Sequence, residues 1–159
     1  MTLRKISGEA SVDSAARFCI GERLVIDGLR LWAASPETLH YIERRFRLVI
    51  GIAGAERAIR GLKILASVLS LHARWPVGLH CPGCLMVSAD ERAVIALLGA
   101  AVRGQNGHGL ALLGWLLPAP CHGTALAAAA DLARALEIGG AGLAPPRPAV
   151  PPAVAPLRL

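Results

Sequence analysis

The chain has 159 residues, 54% of them hydrophobic and only 4% aromatic, with a formal net charge of +6. That length fits one domain whose core is built from Leu, Ile, Val and Ala, large enough to fold without a metal or a disulfide to hold it together. Four cysteines are too few for a disulfide framework, and Met1 to Ser11 is polar and charged with no apolar segment of a secretory signal behind it.

The first twelve residues read as a loose start. From Asp13 to Ala34 the pattern is helical, with Ala16, Cys19, Ile20, Leu24, Ile26, Leu29 and Leu31 on a broad apolar stripe. On this reading Cys19 is plain core, and Asp27 pairs with Arg23 and Arg30 along the same helix. Ser35 reads as an N-cap, with Pro36 at the first helical position and Glu37 in the first turn. The helix behind it buries Leu39, Ile42, Phe46, Val49 and Ile50. It presents His40, Glu43, Arg44 and Arg47 outward, and Gly51 and Gly54 end it. A solvated face explains those four outward residues better than an anion site does.

Ala55 to Ala73 forms the next helix, with Ile59, Leu62, Leu65, Ala66 and Leu69 inward and Arg57, Arg60 and Lys63 outward. Pro76 and Gly78 stop it. Leu79 and Leu85 to Val87 are placed to pair as short strands flanking a turn, in the manner of a zinc knuckle. Ser88-Ala89-Asp90-Glu91 is a capping-box pattern that launches a helix to about Arg103. Helices from about His108 to Leu117 and from Cys121 to Glu137 complete the set. Gly104 to Ala130 lacks any Asp, Glu, Lys or Arg, but Pro118 and Pro120 cut it into pieces too short to span a bilayer, so core helices are expected. Gly139-Gly140 closes the folded part, and the Pro-rich remainder, without an acidic residue, is expected to be disordered or polyproline-like.

The chemistry-bearing stretch is His80-Cys81-Pro82-Gly83-Cys84, joined by Cys121-His122 farther on. Cys-x-x-Cys lets two sulfurs turn toward one point. Proline presets φ at the first central position of the turn and glycine accepts a positive φ at the second. Cys121 and His122 are adjacent, and on a regular helix neighbours point about 100° apart. They can share a metal only at or before the first turn, which Pro120 favours. His108 is an alternative fourth ligand. The expected metal ligands are therefore His80, Cys81, Cys84, Cys121 and His122, with zinc as the ion. A thioredoxin-type dithiol would need its cysteines at a helix N-terminus after a βαβ unit. Here the helix start lies four residues past Cys84 and no βαβ pattern precedes it.

The segment His80-x-x-Gly83-Cys84, followed by Ser88-Ala89-Asp90-Glu91 and an apolar helix, resembles a group of uncharacterised small all-helical bacterial proteins. Their pattern is His-x-x-Gly-Cys-x-Cys followed by Gly/Ala-Asp-Glu. Met86 stands where that pattern has its second cysteine, and Cys81 is the candidate substitute. The resemblance covers about a dozen residues. It implies that His80 and Cys84 matter more than Cys121 or His122, and it implies no activity.

The sequence thus predicts a single all-α bundle of five to seven helices over residues 13–138, between a loose N-terminus (1–12) and a disordered tail (139–159). The predicted function is a small cytoplasmic protein binding a transition metal in a structural or sensory rather than catalytic role. The alternatives are a helical module that binds a protein or nucleic acid through Arg-rich faces, and a thiol redox protein. Lys5 and Lys63 are the only lysines, and the arginine bias is what a GC-rich coding sequence gives, so the basic charge alone does not select nucleic acid. No membrane span is expected, and the oligomeric state is left open.

Overall fold

A computed structural model describes residues 3–5, 13–14 and 17–145. The fold is all-α, with five helices among the described residues: α1 (Ile20–Ala34), α2 (Leu39–His72), α3 (Ala89–Val102), α4 (Asn106–Leu116) and α5 (His122–Ile138). Short 3₁₀ turns at Pro36–Thr38 and Ala119–Cys121 lead into α2 and α5. Four brief strands are present among the described residues, β1 (Leu3–Lys5), β2 (Asp13–Ser14), β3 (Val77–Leu79) and β4 (Met86–Val87), and β3 packs against α3 and α1. No helix of the described residues is long and apolar enough to cross a membrane.

α1 begins at Ile20, not at Asp13. Cys19 is its N-cap with extended backbone, and its N–H donates to the Glu22 carboxylate at 2.9 Å. A carboxylate three residues into the helix closes the first turn there and leaves the preceding residues outside it. Cys19 is accordingly a half-buried cap and not mid-helix core.

α2 is one helix of 34 residues only in outline. Gly51, at φ 74° and ψ 173°, breaks it into arms of residues 39–50 and 52–72. That backbone region is open essentially to glycine alone, so the predicted stop at Gly51 is an elbow. The arms stay close enough for Lys63 Nζ to reach Glu43 Oε1 at 3.5 Å. Ile42, Phe46 and Ile50 on the first arm and Leu62, Leu65 and Leu69 on the second are buried in the same core. The second arm also packs against α5, whose Ala125, Ala129, Leu132, Ala133 and Leu136 are buried.

β3 and β4 overlap the predicted strands at Leu79 and at Met86–Val87, though β3 starts two residues earlier and runs through Gly78, and the two do not pair with each other. β3 runs parallel to β1 (Val77 opposite Leu3), and β4 runs antiparallel to β2 (Val87 opposite Asp13). The reason lies at Gly78. Its N–H donates to Asp90 Oδ2 at 2.6 Å, and its carbonyl accepts from Ser88 Oγ at 2.6 Å. Side chains at the start of α3 thus occupy the backbone groups that a β3–β4 ladder would use. Leu3–Lys5, predicted loose, is instead the partner of β3; residues 1–2 and 6–12 lie outside the described residues.

The predicted boundary at Gly139-Gly140 also shifts. Ala141 is 2% exposed, Leu143 packs on the core, and the Cys19 thiol donates to the Gly142 carbonyl at 3.1 Å. The remainder of the predicted tail, residues 146–159, lies outside the described residues.

Candidate functional site at the Cys-Pro-Gly-Cys turn

Between β3 and β4 the chain makes a tight turn. The Cys84 N–H donates to the Cys81 carbonyl at 3.1 Å, and Gly83 sits at φ 80°. Pro82 and Gly83 hold the central positions, as a type II turn requires. Both cysteines are free thiols and half-buried, while Pro82, Gly83 and Leu85 are exposed.

Behind the turn lies a buried ion pair that joins α1 to α3. Arg30 and Glu91 have side chains 1% and 0% exposed. Arg30 Nε donates to Glu91 Oε1 at 2.7 Å and Nη2 to Oε2 at 2.9 Å, a bidentate fork. The guanidinium then extends to the loop: Nη1 donates to the Cys84 carbonyl at 2.6 Å and Nη2 to the Met86 carbonyl at 2.5 Å. Glu91 accepts in turn from the His80 N–H at 3.1 Å and the Ser88 N–H at 2.8 Å. Backbone on both sides of the two thiols is thereby tied to one buried pair. Among the described residues no buried side-chain nitrogen or oxygen lacks a partner. A buried ion pair is tolerated only when its remaining donors and acceptors are satisfied in this way.

Glu91 serves twice. Its N–H donates to Ser88 Oγ at 3.0 Å, completing the predicted capping box, and its carboxylate also meets Arg30. Burial works to lower the pKa of Arg30, but the hydrogen bonds and charge of Glu91, with smaller contributions from Asp27 and Cys84, outweigh it and hold that pKa above the ordinary arginine value. Asp27 takes a different partner from those predicted: it accepts from Arg45 Nη1 on α2 at 2.6 Å.

The other predicted ligands lie apart in their bonding. Cys121 ends a 3₁₀ turn and packs against the core. The His122 ring Nε2 lies 3.0 Å from the Leu117 carbonyl. His108 is exposed, and His80 is half-buried beside Cys81. Every cysteine and histidine of the chain falls within the described residues. Among those residues no group of three or more His, Cys, Asp or Glu side chains is placed to hold a metal ion. His80, Cys81, Cys84, Cys121 and His122 are thus not drawn together into one site, and what the turn offers is its pair of sulfurs.

Sequence reasoning passed over Arg30. A signal was present: Arg30 lies four residues after Ile26 on the stripe that buries Ile26 and Leu29, where an unpaired guanidinium could not stay. Its partner, 61 residues away, carried no local sign beyond the cap it also forms.

A concavity lies in the α2 elbow. It has a volume of about 310 Å³ and is lined by Glu43, Arg47, Ala55, Glu56, Ile59, Arg60 and Lys63. Arg47 from the face predicted to be solvated stands at its rim, with Glu43 engaged by Lys63. Comparison with known protein families, with curated proteins and with solved structures returns no match for this chain.

Proposed function

We propose that this is a small helical metal-binding protein in which Cys81 and Cys84 capture a transition-metal ion, zinc by the nature of its ligands, in a structural or sensory role. One observation carries this reading. The buried Arg30–Glu91 ion pair makes its further hydrogen bonds to the backbone at His80, Cys84, Met86 and Ser88, on either side of two free thiols. A core that needed only apolar packing would not require such a pair. Holding the turn in advance reduces the ordering cost of binding. Thiolate ligands select zinc and softer ions over magnesium or calcium.

The test is metal analysis of protein purified in reducing buffer without added metal, then loaded with zinc and desalted. Retention of zinc by the wild-type chain and its release by Cys84→Ser, with an unchanged far-ultraviolet circular dichroism spectrum, supports the reading. A loaded wild-type chain holding less than about 0.1 equivalents would overturn it.

A second reading has its own observation. The two cysteines terminate one hydrogen-bonded β-turn, which holds their Cα atoms within about 7 Å, the span a disulfide needs. On this reading Cys81 and Cys84 pass two electrons and two protons to an acceptor disulfide and become joined. Incubation with oxidised glutathione, thiol alkylation and mass spectrometry separates the readings. A protected Cys81–Cys84 pair that forms in zinc-loaded protein as fast as in zinc-free protein favours the dithiol.

A further inference from the structure

Resting on the metal-binding reading above, we infer that the partner completing the site is a second copy of this chain, so that two Cys-Pro-Gly-Cys turns share one zinc ion. A closed structural zinc site takes four ligands, commonly four thiolates. Each copy offers two, Cys81 and Cys84, and no third His, Cys, Asp or Glu among the described residues joins them. Two copies related by a twofold axis meet through the same surface on each, and this makes the ligand count close at four.

The surroundings of the turn fit that occupant. Pro82 and Gly83 are exposed at its tip, so a second turn can approach without displacing any of the described residues. Leu85, directly after Cys84, is 74% exposed. In a paired arrangement this apolar side chain is covered beside the metal, where exclusion of water strengthens thiolate binding. Each copy carries +6, so pairing runs against like-charge repulsion; four thiolates around one dication leave a local net negative charge between the copies that offsets part of it. The Arg30–Glu91 pair holds the backbone of the turn at His80, Cys84 and Met86 in place before an ion arrives.

The experiment uses the full chain in reducing buffer with zinc as the probe. Zinc per chain and solution mass are measured together by elemental analysis and light scattering, before and after EDTA. The expected result is about 0.5 zinc per chain, four sulfurs to one ion, in a species of twice the chain mass that returns to single chains with EDTA. Cobalt substitution should give the charge-transfer intensity of four thiolates per ion. One zinc per chain in a single-chain species, or a cobalt spectrum of two thiolates, overturns the bridge and leaves the metal-binding reading standing. No retained zinc overturns both. A dimer that persists in EDTA or in Cys84→Ser overturns the bridge. Leu85→Glu guards against misfolding of the cysteine variant: it keeps both sulfurs and should weaken the zinc-linked dimer at least about tenfold. A dimer of unchanged strength in L85E, with the fold intact by circular dichroism, counts against the proposed contact.

Discussion

At the scale of single residues the molecule turns on Arg30 and Glu91. Arg30→Met leaves the Glu91 carboxylate buried without its counter-charge and should cost about 3–5 kcal/mol in urea denaturation. Arg30→Lys keeps the charge but not the planar fork that reaches Glu91, Cys84 and Met86 at once. It should recover part of the stability; on the proposed metal-binding reading, zinc affinity, read by competition with a chromophoric chelator, should stay at least about tenfold down. The raised pKa of Arg30 fixes the sign of its pH dependence. Its contribution is complete below the ordinary arginine value and fades only as pH climbs through the higher folded value. Between about pH 6 and 9 the titration of Arg30 should therefore contribute no slope to the stability profile. The turn at Cys81–Cys84 and the Ser88–Glu91 cap were legible in the sequence because each is closed within four residues. The ion pair behind them was not, because the two side chains meet only after α1 and α3 have docked.

At the scale of elements the helix boundaries follow local chemistry and the strand partners do not. The Ser88 cap, the Pro118–Pro120 interruption and the break at Gly51 each act on neighbouring residues, and α3, α4 and α5 fall within about two residues of expectation. β3 was placed only at its last residue, Leu79, β4 was placed at Met86–Val87, and the two were given each other as partners, because periodicity carries no information about which edge Gly78 yields to side chains. The elbow in α2 gives a clean test. Gly51 has open space where a Cβ would stand, so Gly51→Ala costs only backbone strain. The expected loss is about 1–3 kcal/mol in thermal or urea unfolding. A neutral Gly51→Ala would mean that the two arms are joined by an ordinary helical residue.

At the scale of the whole molecule, the segment after α5 is joined to the bundle more closely than composition implied. The segment after α5 returns to the start of α1, where Ala141 is buried and Gly142 accepts from Cys19. Deleting residues from 141 onward should lower stability by about 1–3 kcal/mol, while deleting only from 146 onward leaves these contacts in place. A difference in melting temperature between the two truncations measures that closure. The Pro and Gly content of the segment suggested a free tail, since nothing nearby in the sequence indicates that the first helix offers it a seat. The reach of Arg30 to carbonyls 54 and 56 residues away has one last consequence. A nascent or partly opened chain can form the turn but not anchor it, because the guanidinium that holds the Cys84 and Met86 carbonyls arrives only with tertiary closure. On the proposed metal-binding reading, ion affinity would then report completed folding: capture would strengthen as the bundle closes and weaken when it opens.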